Sequence, residues 1–241
     1  VALWAVLVYA VLIAVVVRRD KPGLQGGING SWFLLTVSTE SVAVVAGLVL
    51  ATGSAGSTPD DLLAFVALSA FLLGIVLYLI VMTMVFLRWT FHPLDPTEAD
   101  PPAWIAGGAV AITVLAGSNL ILAANAGTGR LLRVAPVLEV LVVLAWATAT
   151  FWFPLMIAIG VWRHLVCRVP LRYHPSFWAM VFPIGMYAVA TFRMRQAISL
   201  GSLDWLPGAV LGIALGAWAV TFAGLLADLR MSITRRRAGP P

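Results

Sequence analysis

LLAFVALSAFLLGIVLYLIVMTMVFL, residues 62–87, runs from Asp61 to Arg88 without one charged side chain. A helix that crosses the hydrocarbon core needs about 20 apolar residues, because each adds about 1.5 Å and every backbone polar group must be bonded internally. This stretch is long enough to cross alone. Reading outward from it, apolar runs separated by turn residues predict seven helices, at about 1–17, 32–51, 61–87, 103–124, 134–162, 173–197 and 206–229. The punctuation is Lys21-Pro22-Gly23, Gly53 to Asp61, Leu94 to Pro102, Asn125 to Arg130 and Ser202 to Pro207. Trp32, Trp89, Trp104, Trp162 and Trp205 fall at the predicted ends, where an amphipathic ring prefers the headgroup layer.

Composition agrees with the spans. Apolar residues make up 61% of the 241, charged residues 10%, and mean hydropathy is +1.00, whereas soluble domains carry about 25% charged residues. The expectation is an all-α polytopic membrane protein, one transmembrane domain over 1–241, with the lipid bilayer as its main solvent. The pI near 10.1 does not point to nucleic acid, because the basic residues are spread as loop anchors rather than gathered in one patch. Cys167 is the only cysteine, which excludes an intrachain disulfide.

Loops rich in Lys and Arg stay in the cytoplasm. Arg18, Arg19, Lys21, Arg88, Arg163, Arg168, Arg172, Arg230, Arg235, Arg236 and Arg237 fall on one side of the predicted spans, against Arg130, Arg133, Arg193 and Arg195 on the other. Eleven against four predicts a cytoplasmic C-terminus in a cell (inner) membrane. Seven spans then place residue 1 outside, yet the chain opens on Val1 within an apolar run, with no initiator Met and no targeting segment. The expectation is an N-terminally truncated chain with an odd number of helices upstream.

Tyr173-His174-Pro175-Ser176-Phe177-Trp178, leading into Phe182-Pro183-Ile184-Gly185, resembles the ninth helix of the tellurite-resistance/dicarboxylate transporter family. That family takes in tellurite-resistance proteins, malate and sulfite transporters and guard-cell slow-type anion channels. Asn29-Gly30-Ser31-Trp32 running into Val37-Ser38-Thr39-Glu40-Ser41-Val42 is similar to the start of its fifth helix. Pro102-Ala103-Trp104-Ile105 onward through Gly107-Gly108 is similar to the start of its seventh. The resemblance covers essentially the whole chain and implies helices four to ten of a ten-helix ring of hairpins around a central pore. Its implied function is transmembrane transport of small anions such as malate-like C4-dicarboxylates, tellurite, sulfite or inorganic anions. It also implies a homotrimer, no cofactor and no enzymatic activity.

The inner helices of such a ring would be 32–51, 103–124 and 173–197. A pore-facing stripe should carry small or polar residues at helical spacing. Thr36, Glu40, Ala43 and Gly47 share one face of the first, and Gly107, Ala111, Ser118 and Asn125 one face of the second, interrupted by Val114. Small residues at that spacing equally let helices pack closely in lipid, so both uses stay open. In the third, the resemblance makes Phe182 the aromatic gate. Pro183 beside it removes a backbone hydrogen bond and can kink the helix so as to aim the ring. Arg193 returns to nearly the same face about 16 Å further towards the outside. It is a candidate for concentrating anions at the outer mouth, the alternative being a structural pair with Glu139. Arg195 points the other way.

Glu40 is the most unusual intramembrane residue, since a bare charge near the middle of a span is costly. One reading is a group that exchanges a proton during transport and couples anion movement to it. The other is a neutral carboxyl hydrogen-bonded between helices. Remaining chemistry is sparse. His92, His164 and His174 lack the spacing of a helical metal site, and no His-Glu-x-x-His, nucleophile-elbow or phosphate-loop pattern occurs. An alternative function is a seven-helix receptor or sensor. It would not be a retinal protein, because the only lysine, Lys21, lies in a loop.

Overall fold

The computed structural model describes residues 1–53, 60–96 and 101–237, with side chains described up to residue 231 and at residue 233. The predicted turn positions 54–59 and 97–100, and the side chains of Arg235, Arg236 and Arg237, lie outside the described residues. No strand occurs among the described residues. Among the described residues seven long helices carry the fold: α1 (Ala2–Val16), α2 (Leu34–Ala51), α3 (Asp60–Phe91), α4 (Ile105–Asn125), α5 (Ala135–Val161), α6 (Trp178–Ala197) and α7 (Leu206–Arg237).

Three of them start as a single 3-10 turn, Gly30–Phe33 before α2, Pro101–Trp104 before α4 and Pro175–Phe177 before α6. Two of those turns begin on a side-chain cap. Asn29 accepts from the Ser31 N–H and His174 from the Ser176 N–H, which satisfies backbone donors that a helix start leaves open. Among the described residues six helices, counted with their adjoining turns, are long and apolar enough to cross a bilayer. The seventh, α1, is apolar and rises about 22 Å over its 15 residues. Its regular structure stops before Arg18 and Arg19.

The helix α4 sits at the centre, packed against α2, α3, α5 and α6. Every residue from Ile105 to Ala124 except Leu122 is buried. A helix can be surrounded on all sides only if its neighbours come close, and α4 supplies the small residues that allow it. A Cβ at Gly108 would stand 2.9 Å from Pro183 Cγ of α6. One at Gly117 would overlap Val142 of α5 and come within 3.0 Å of Phe71 of α3.

Outward from α4 the packing thins. The helix α7 rests mainly on α6, along a line of buried residues at seven-residue spacing, Pro207, Ala214 and Thr221. No residue of α1 is buried. The large apolar side chains that remain exposed on α1, α3, α5 and α7 are what lipid, rather than water, solvates.

Candidate functional site

The stripes on α2 and α4 are packed between helices, whereas the one on α6 is not. The first is the α2 face with Thr36, Glu40, Ala43 and Gly47. All four are buried. The Glu40 carboxyl lies at a junction of three helices, where Thr113 of α4 donates its hydroxyl to Oε1 at 3.0 Å and Gly74 of α3 leaves the room it occupies. A Cβ at Gly74 would overlap the carboxyl outright. Glu40 Oε2 and the hydroxyl oxygen of Thr36, one turn earlier, are buried with no hydrogen-bond partner. Two turns beyond Glu40, Gly47 faces Asn119, whose amide donates to the Val44 carbonyl at 3.4 Å. This stripe faces α3 and α4.

The α4 stripe behaves similarly. Gly107 faces Phe153 and Trp152 of α5. Ala111 is fully buried, and so is Ser118, whose hydroxyl bonds back to the Val114 carbonyl at 2.7 Å. Asn125 at the end of α4 is exposed. The structure therefore separates Asn125 from Thr36, Glu40 and Ser118, which lie between helices.

The third stripe is on α6. Phe182 and Val189 are exposed, Gly185 and Arg193 are half-buried, and the four share one face. The opposite side of α6 is fixed by contacts that the sequence did not announce. Pro183 seats on Gly108. Thr150 of α5 meets the Tyr187 hydroxyl at 2.7 Å, and Trp146 Nε1 donates to Thr191 at 3.0 Å. The Tyr187 ring also packs against Phe153 and Trp146. These pairs set the rotation of α6 about its own axis, and with it the direction of the open face.

At the far end of that face Arg193 donates to Gln196 at 3.3 Å, while Glu139 is exposed on α5. Arg195 points elsewhere, pairing with Asp204 and lying over the Phe192 ring. At the other end of the bundle, Arg88 is buried to 4% exposure, its guanidinium donating to the Gln25 carbonyl at 2.8 Å and the Pro93 carbonyl at 3.0 Å. It clamps the loops that lead into α2 and out of α3. Among the described residues no cluster of His, Cys, Asp and Glu could hold a metal ion.

Sequence reading did not single out Thr113 and Gly74, which surround the Glu40 carboxyl, or the Arg88 clamp. A lone glycine amid bulky apolar residues of α3 was the one available signal for the Glu40 junction.

Comparison with known proteins bears on the whole chain. It is 37% identical over 163 residues to an uncharacterized membrane protein of Mycobacterium tuberculosis, an alignment covering 66% of this chain and 80% of that one. It is 20% identical over 196 residues to an uncharacterized transporter of Methanocaldococcus jannaschii, covering 80% of this chain and 53% of that one. No solved structure matches it. The family described as voltage-dependent anion channel matches residues 1–226, and with that match running through six helices and into the seventh, the chain belongs to the voltage-dependent anion channel family.

Proposed function

We propose that this multi-pass membrane protein carries small anions through a path walled in part by the open face of α6, with the Phe182 ring as its gate. The observation that carries the reading is the pairing of an exposed Phe182 with a buried Pro183. The proline is wedged on Gly108 of the central helix, so the neighbouring ring is held on the uncovered side. An aromatic ring in a narrow apolar passage blocks ions by its bulk and by excluding water.

Arg193, near the α6 C-terminus on the same face, would raise the local anion concentration at that mouth. With the basic loops inside, the mouth is extracellular and the C-terminus cytoplasmic in the inner membrane. The substrates are small anions of the malate, tellurite, sulfite or simple inorganic class, and the assembly is a homotrimer. Thr36, Ser118 and Asn125 enter this reading as residues near the path rather than as its lining. Glu40 would couple transport to protons through the α2–α3–α4 junction, without touching the anion. Family membership leaves the receptor alternative without support.

The test is anion flux into liposomes across a panel of these anions, parent against Phe182→Ala. A gain on the order of tenfold or more is expected once the ring is removed. Equal flux from two folded proteins would sink the gate. For Glu40, flux in Glu40→Gln with an unaltered pH dependence would remove the coupling role.

A further inference from the structure

Between α1 and α2 lies a groove of about 720 Å³. Its walls are Leu7, Val11 and Leu12 on one side and Leu34 and Leu35 on the other. The polar groups along it are already satisfied within the protein. Trp4 Nε1 donates to Thr39, Trp32 Nε1 to the Gly27 carbonyl, Ser38 to the Leu35 carbonyl and Ser41 to the Val37 carbonyl. Ser31 at one end likewise donates to Asn29. A groove whose hydroxyl and indole donors are spent internally offers little to a polar ligand and suits hydrocarbon.

The lining runs from Leu3 to Val15 of α1, a rise of about 18 Å along which an extended acyl chain can lie. One end carries a cluster of charge. The Val15 end, where Ser31 and Trp32 close the groove, continues directly into Arg18, Arg19, Asp20 and Lys21, all exposed. Three cations against one anion at the headgroup level make that end attractive to a phosphate carrying net negative charge.

We propose that this groove holds an acyl chain of an anionic phospholipid, with the headgroup phosphate at Arg18, Arg19 and Lys21. Basic residues beside an apolar cleft between helices supply both halves of lipid recognition: chain burial for retention, cation contact for headgroup choice. The bound lipid would also fill the space that leaves α1 without a buried residue, tying it to the bundle.

The experiment is native mass spectrometry of the full chain released from nanodiscs containing equal phosphatidylglycerol and phosphatidylcholine. The parent is expected to retain phosphatidylglycerol over phosphatidylcholine by about tenfold, given roughly fivefold per basic residue near the surface less the opposing Asp20 and partial screening. Arg18→Ala/Arg19→Ala/Lys21→Ala should keep lipid bound but reduce the preference to about twofold or less. These positions lie outside any helix, so this variant reads headgroup choice without disturbing the spans. Leu7→Trp, which fills the groove, should lose retained lipid of both kinds.

Equal retention of the two lipids by the parent, no retained lipid, or an unchanged preference in the triple variant would overturn the proposal. So would a disulfide-linked dimer formed by Ser38→Cys in a Cys167→Ser background, which would seat a second copy in the groove.

Discussion

The Thr36–Glu40–Ala43–Gly47 face of α2 and the Phe182–Gly185–Val189–Arg193 face of α6 share a pattern in sequence, each a helical stripe with one glycine and one charged residue. Their neighbours separate them. The α2 stripe is closed over by α3 and α4 and buries an acid, whereas the α6 stripe is left uncovered and presents an aromatic ring and a cation. The lesson concerns periodicity: it assigns residues to a shared face and says nothing about what that face meets. Small residues serve close helix packing and passage lining equally well, and the complement on the neighbouring helix decides between them. Gly74 is that complement for Glu40.

The largest effect that would break this contrast is expected at Gly74. Replacing it with Leu puts a side chain where the Glu40 carboxyl lies, and overpacking with displacement of a buried polar group costs on the order of 3 kcal/mol. The expected result is a strongly lowered unfolding temperature in detergent, with partial recovery when Glu40→Ala is added. A Gly74→Leu protein as stable as the parent would show that the junction is loose and the α2 stripe free to turn elsewhere.

Next in size is Thr113→Val, which removes the hydroxyl donated to Glu40 Oε1 and leaves both carboxyl oxygens without a partner. Interhelical hydrogen bonds in membranes average about 0.6 kcal/mol, and stranding a buried acceptor raises the cost to about 1 kcal/mol. Chemical denaturation compared with Thr113→Ser, which keeps the hydroxyl, checks it. Equal losses in the two variants would mean that packing, rather than the hydrogen bond, holds the acid.

How far sequence reading reached follows from the same physics. The spans were legible because hydrophobic length is a one-dimensional property, as in residues 62–87, and the crowded centre was foreshadowed by Ala106, Gly107, Gly108 and Ala109. What α4 touches was not legible, since the partner of Gly117 is Val142 on another helix, 25 residues away in the chain. The aromatic and hydroxyl pairs that orient α6, Trp146 with Thr191 and Thr150 with Tyr187, are residue types that suit a lipid-facing surface as well as an interface. For Arg88 the sequence offered a basic residue at a predicted helix end, and nothing in it announced the buried clamp on two carbonyls.

Smaller still is the expected effect of Arg193→Ala, read in flux at low salt. A single half-exposed cation at a mouth changes local anion concentration a few-fold, and screening at a Debye length of about 3 Å in 1 M salt removes most of that. Apparent affinity should fall about threefold at low ionic strength and match the parent at high ionic strength. A loss independent of salt would assign Arg193 to the Gln196 contact and helix structure instead of the path.

The smallest effect separates lipid-facing surface from packed surface within one helix. Val220 of α7 is exposed, whereas Ala214 lies on the narrow strip that rests on α6. Because the side chain at 220 meets lipid in the folded protein and would meet lipid in helices that have come apart, Val220→Ala should alter stability by less than about 0.5 kcal/mol. Ala214→Leu should cost about 1 kcal/mol or more by forcing α7 off α6. The pair is informative only as a difference, measured by thermal unfolding in the same detergent. Equal small effects would mean that the α7 strip carries no packing energy. A large effect at Val220 would mean that another protein surface, and not lipid, covers that face.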